Sequence, residues 1–118
     1  MYTKMEKSLE QKLASAEEYA QKGDACIMDA YLSSAQTCAQ KVGRDISEES
    51  RRIQKTGYAN AVSVKLKNAG KYAGEGNEYI MDVCLDLAQI YAQKVGRDIS
   101  AEVQKIKKIL KNRIELST

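Results

Sequence analysis

The chain has 118 residues, 30% of them charged, and a formal net charge of +3, which is typical of a single globular domain. It contains no histidine, so Ser-His and Cys-His catalytic pairs are excluded. No charge-free run approaches the ~20 residues of a membrane span. Residues 1–10 also lack the apolar segment of a signal peptide. We therefore expect a soluble cytoplasmic protein that does not associate with membranes.

An internal duplication is the strongest pattern in the chain. The segment 39–47 recurs unchanged as 92–100, an offset of 53 residues. Between residues 19–47 and 72–100, 18 of 29 positions are identical. Chance does not produce such identity, and a fixed internal period is typical of proteins built from repeated structural units. The sequence therefore predicts two copies of one unit in tandem.

In chain order, apolar residues spaced by three and four predict two helices in each copy. Gly23-Asp24 and Gly76-Asn77 separate them, because glycine ends a helix and Asp or Asn caps the next one. The fold prediction is all-α, with two tandem antiparallel helical hairpins and a C-terminal capping helix, as a bundle or short α-solenoid. The five helices are predicted near residues 3–22, 24–42, 47–73, 77–95 and 100–116.

The repeated sequence Gly-Arg-Asp-Ile-Ser is predicted to join each hairpin to the helix that follows. In the first copy, Gly43 ends a helix, Ile46 fills the joint and Ser47 is the predicted N-cap. Asp45 is an alternative cap, since it has a capping-box glutamate three residues later. The second copy lacks that glutamate, so serine (Ser47, Ser100) fits both copies better.

We predict one domain over residues 1–118, with the first unit at about 1–46, the second at about 47–99 and the capping helix at 100–118. Gly57 falls in the middle of the third helix, where glycine costs about 1 kcal/mol relative to alanine. The sequence leaves open whether this helix breaks at Gly57.

The three cysteines, Cys26, Cys38 and Cys84, form no C-x-x-C pair and are odd in number. Each corresponds to a tyrosine in the other copy, as expected for residues that fill similar half-buried positions. We interpret them as reduced, structural thiols in a reducing compartment.

The two hairpin cores, residues 13–39 and 66–92, share features of a known repeat. Each has a small and an aromatic residue on its first helix, Gly-Asp or Gly-Asn at the turn, and an alanine deep in its second helix. These residues are Ala16, Tyr19, Gly23, Asp24 and Ala35, and then Ala69, Tyr72, Gly76, Asn77 and Ala88. This pattern resembles the tetratricopeptide-type repeat. The period here is 53 rather than 34 residues, and the closing proline is missing. The resemblance implies stacked antiparallel hairpins and protein interaction, but no particular binding residue.

No catalytic, cofactor-binding or metal-binding set is predicted. The glycines at 70, 74 and 76 follow no strand, so they do not form a phosphate loop. The acidic residues are isolated on polar positions and are best explained as solvated surface.

Charge is unevenly distributed, with a net −3 in residues 1–50 and +6 in residues 51–118. The duplication aligns Arg52 with Lys105 and Lys55 with Lys108. If equivalent helices stack side by side, these residues form one patch able to follow a phosphate backbone or an acidic partner. The alternative is a charged outer face that only keeps the helices solvated. The candidate patch comprises Arg51, Arg52, Lys55, Lys105, Lys108 and Lys111.

These observations favour a non-catalytic helical-repeat scaffold for protein–protein interaction or self-assembly. The expected partner is therefore a protein, either a different one or a second copy of the chain. A nucleic-acid-associated protein that uses the basic patch is the alternative, and an enzyme ranks third.

Overall fold

The computed structural model describes residues 3–117 and contains five α-helices and no strand within that range. The helices are α1 Lys4–Lys22, α2 Ala25–Val42, α3 Ser47–Gly74, α4 Glu78–Lys94 and α5 Ser100–Ser117. The all-α prediction is confirmed, and each predicted helix end lies within one residue of the observed one.

The chain divides into two compact units, Met1–Asn60 and Ala61–Thr118. From here on, the first unit and the second unit mean these two ranges. The first unit contains α1, α2 and the first half of α3. The second contains the rest of α3, together with α4 and α5. The boundary lies inside α3, so this helix contributes to both units. A single domain over the whole chain remains a prediction.

The turn inside each hairpin has the predicted chemistry. Gly23 ends α1 with a left-handed φ of 74°, and the Asp24 side chain accepts a hydrogen bond from the Ile27 amide at 3.2 Å. In the second copy, Gly76 has a φ of 77°, and Asn77 accepts from the Ile80 amide at 3.1 Å. The same local sequence thus gives the same turn twice.

The joints before α3 and α5 differ from the prediction. In the second copy, Ser100 donates from its amide and its hydroxyl to the Asp98 carboxylate, at 2.9 and 2.5 Å. The Ile99 carbonyl accepts the first helical bond, from the Val103 amide at 2.9 Å, which makes Ile99 the N-cap. The first copy makes the equivalent bonds with Asp45, Ile46, Ser47 and Ser50.

The prediction that Ser47 and Ser100 are N-caps is therefore wrong. A carboxylate is a stronger acceptor than a hydroxyl, and Asp readily bonds the amide two residues ahead of it. The serine hydroxyl is then used as a donor. Ile46 and Ile99 are 1% and 0% exposed, so the prediction that they fill the joints is confirmed.

Each unit has its own apolar core, formed by residues spaced by three and four along its helices. In the first unit, the buried residues of α1 and α2 include Leu9, Leu13, Ala16, Ala20, Met28, Leu32, Ala35, Cys38 and Ala39. In the second unit, the main cluster is Ala69, Ala73, Met81, Cys84, Leu85, Ile106 and Leu110. The capping helix α5 thus covers the hairpin through Ile106 and Leu110.

Helix α3 continues without a break through Gly57. A Cβ atom placed on this residue would lie 2.1 Å from Met28 Sδ and 3.3 Å from Ala20 Cα. The Tyr58 hydroxyl also donates to the Asp29 carboxylate at 2.7 Å. Gly57 therefore allows close approach of α3 to α1 and α2 rather than a kink.

Candidate interaction surfaces

In residues 3–117, no three His, Cys, Asp or Glu side chains are grouped so that they could hold a metal ion. Within the same range, none of the helices has the length and apolar character needed to cross a membrane.

The three cysteines lie in different environments. Cys38 and Cys84 are buried, which fits their interpretation as packing residues. Lys12 Nζ donates to Cys38 Sγ at 3.4 Å. Cys26 is exposed, so the expectation of a half-buried position is wrong for this residue.

All six residues of the predicted basic patch are exposed, but they belong to two different units. Arg51, Arg52 and Lys55 lie near the start of α3 in the first unit. Lys105, Lys108 and Lys111 recur every three residues along α5 in the second unit. A single patch assembled from both sets remains a prediction.

In the first unit, two arginines of this region, Arg44 and Arg52, are paired with carboxylates. Arg52 lies 2.9 Å from Glu17, and Arg44 contacts Glu10 as well as Glu49, the latter at 2.8 Å. Hydrogen bonds to Glu10 and Glu49 raise the pKa of the Arg44 guanidinium above its usual value. The positive charges of Arg44 and Arg52 are therefore balanced locally.

In the second unit, both cations remain, but two of their three acidic partners do not. Ser63 and Gly70 occupy the positions that correspond to Glu10 and Glu17. Arg97, the copy of Arg44, lies 3.8 Å from Glu102, compared with 2.8 Å for the pair in the first unit. Lys105, the copy of Arg52, makes no ion pair within residues 3–117.

All charged residues in the middle of α5 are positive. Residues 103–114 contain five lysines or arginines and no acidic residue. Four exposed lysines define what we call the lysine face of α5, and none of them forms an ion pair in the part of the chain that the structure describes. They are Lys105, Lys107, Lys108 and Lys111. Sequence reasoning missed Lys107, although the absence of acidic residues from this segment pointed to it.

A second surface lies on α4. Tyr79, Val83 and Ile90 are 79%, 42% and 49% exposed, and their spacing of four and seven places them on one helix face. We call these three residues the outer stripe of α4. The buried residues Met81 and Ala88 lie on the opposite face of the helix.

Sequence reasoning missed the outer stripe because it considered only the buried face of each helix. Comparison of the two copies contains the missing information. The positions equivalent to Tyr79, Val83 and Ile90 on α2 are Cys26, Ala30 and Thr37. Small or polar residues in the first copy are thus replaced by large apolar ones in the second.

Comparison of the chain with protein-family models, curated proteins and solved structures gives no match. The two surfaces are therefore interpreted from their own geometry and chemistry.

Proposed function

We propose that this chain is a non-catalytic helical-repeat scaffold that binds another protein through the outer stripe of α4. The observation that carries the proposal is the exposure of Tyr79, Val83 and Ile90 along one helix face. Contiguous exposed apolar side chains are costly in water and commonly mark interaction sites. The proposal agrees with the protein interaction that the resemblance to tetratricopeptide-type repeats implies.

The chemistry around the stripe narrows the kind of partner. Asp82 and Asp86 are exposed on the same helix, next to the apolar residues. An amphipathic helix can pack its apolar face on such a stripe. The charged residues beside the stripe then favour a partner helix that carries the opposite charge at its border. We therefore propose a partner helix with apolar residues at spacings of three and four, bordered by lysine or arginine.

A photo-crosslinking experiment tests the proposal directly. Benzoylphenylalanine replaces Val83 in the full chain, expressed in its native cells, and irradiation links it to whatever contacts that position. The same residue at Ala30, the exposed equivalent on α2, is the matched control. We expect a discrete adduct from position 83 and none from position 30.

The adduct also identifies the type of partner. Mass spectrometry of the linked peptide is expected to give a basic amphipathic segment. An adduct of twice the chain mass would mean that the partner is a second copy. Equal adducts from both positions, or no adduct from position 83, would contradict the proposal.

A further inference from the structure

The duplication provides an internal comparison for the charged face of each unit. In the first unit, Glu17 lies 2.9 Å from Arg52 and neutralises it. In the second unit, the equivalent cation is Lys105, but the position of the glutamate is occupied by Gly70. The cation has been kept while the carboxylate that balances it is absent.

The second unit also carries additional cations. In the first unit, Gln54 and Tyr58 both donate hydrogen bonds to Asp29. The residues at the equivalent positions of the second unit are Lys107 and Lys111. Together with Lys105 and Lys108 they make the lysine face of α5, which no acidic residue of segment 103–114 interrupts. This difference between two otherwise similar copies raises positive charge on a single helix face.

We propose that the lysine face of α5 binds the phosphate backbone of nucleic acid. Lysine ammonium groups are compact point charges on flexible stems, and they contact phosphates without demanding one geometry. The remaining polar side chains of this exposed face include Gln104 and Asn112. Protein interfaces rely instead on buried aromatic or apolar anchors. The exposed apolar residues of α5, which are Ile109, Ile114 and Leu116, border the lysine face rather than lie within it.

The same side chains indicate that binding is independent of base sequence. Helix α5 contains no aromatic residue, so it offers no platform on which unpaired bases can stack. Lysines that contact phosphates position a protein on a duplex but do not read base edges.

Fluorescence anisotropy with a labelled 20-base-pair DNA duplex tests the proposal on the full chain. We expect dissociation constants of about micromolar at 50 mM salt. If four phosphates are neutralised, the logarithm of the association constant falls against the logarithm of the salt concentration with a slope of about −3.6. This slope corresponds to about a 150-fold loss of affinity between 50 and 200 mM salt. Lys105→Glu with Lys108→Glu should weaken binding at least tenfold.

Position 70 offers a matched pair of variants. Gly70→Glu restores the carboxylate that faces the cation in the first unit, and Gly70→Gln has the same shape without the charge. A Cβ at this position meets no atom within 4 Å, so both substitutions fit. Both should raise the melting temperature, because glycine is unfavourable inside a helix.

Only Gly70→Glu is expected to weaken duplex binding, by about fivefold, and to reduce the salt slope by about one. Loss of binding in a variant whose melting temperature rises cannot be attributed to unfolding. Equal binding by the two variants would overturn the proposal.

Two further measurements separate a phosphate site from general attraction to charge. Lys4→Glu with Lys7→Glu makes the same change in net charge on α1 and should leave binding within about twofold. Poly-glutamate should compete poorly with the duplex. Equal weakening by the α1 variant, or competition by poly-glutamate at equal charge concentration, would overturn the proposal.

Discussion

Gly57 shows how one residue sets the distance between helices in the first unit. Intrinsic helix propensity predicts that alanine would be better here by about 1 kcal/mol. The contacts predict the opposite, because the added Cβ would lie 2.1 Å from Met28 Sδ and 3.3 Å from Ala20 Cα. The methionine side chain can move, but the backbone atom can do so only with its helix.

We therefore expect Gly57→Ala to lower the free energy of unfolding by about 1–3 kcal/mol, as for other overpacked cores. Gly70→Ala is the control, because it places the same methyl group in open space on the same helix. This control should raise stability by about 0.5–1 kcal/mol. Urea unfolding of both variants measures the difference, and stabilisation by Gly57→Ala would refute the close approach.

Sequence reasoning identified Gly57 as unusual but could not assign its role. Glycine inside a helix is compatible both with a kink and with close packing. Only the positions of Met28 and Ala20, which lie on other helices, distinguish between the two.

At the level of helices and joints, the aspartates matter more than the predicted serines. Asp98 accepts two hydrogen bonds from Ser100, so Asp98→Ala removes both of them. Ser100→Ala removes only the bond from the hydroxyl. We expect Asp98→Ala to lower the melting temperature by several degrees and Ser100→Ala by less.

Asp86→Ala is the control for loss of one exposed negative charge outside a joint. Circular dichroism melts of the three variants at pH 7 give the ranking. A larger effect of Ser100→Ala would restore serine as the capping residue.

The turns and joints also show how far local sequence specifies a helix end. Gly23, Gly43 and Gly76 end helices because their left-handed φ stops propagation, and this was predictable from residue type. The choice between Asp98 and Ser100 was not, since both side chains are able to cap a helix. In the structure, the backbone turn at the joint places the amide and hydroxyl of Ser100 against the Asp98 carboxylate.

At the level of the whole molecule, the two joint aspartates couple stability to pH. Hydrogen bonds from Ser47 and Ser100 lower the pKa of Asp45 and Asp98 below the usual value for aspartate, with a smaller effect of Arg51 on Asp45. Because the pKa of each aspartate is lower in the folded than in the unfolded state, the ionised carboxylates stabilise the fold. This contribution to the free energy of unfolding is fully present above the unfolded pKa of about 3.9. It is lost as pH falls through the lowered folded value.

We expect the variant Asp45→Asn/Asp98→Asn to melt below the unsubstituted chain at pH 6, and we expect this difference in melting temperature to shrink as pH falls toward 2. Melting temperatures between pH 2 and 7 measure this convergence. Asp82→Asn/Asp86→Asn controls for the general loss of two aspartates. A difference in melting temperature between the joint variant and the parent chain that stays constant across this pH range would contradict the proposed pH dependence.

By itself, the sequence determined the five helices, their ends within one residue, and the buried faces of the two hairpins. On α5 it did not, because Ile109 and Ile114 are 39% and 47% exposed. These features depend on local quantities, namely apolar spacing, glycine conformation and polar caps, which act within a few residues of the chain.

Only the tertiary structure decided which charges are balanced and which apolar residues stay exposed. Arg52 and Glu17 are 35 residues apart, and the exposure of Tyr79 depends on what packs around α4. Such contacts form between helices, so no local pattern specifies them. The duplicated sequence shows where the two copies differ, but packing determines which of those differences lie at the surface.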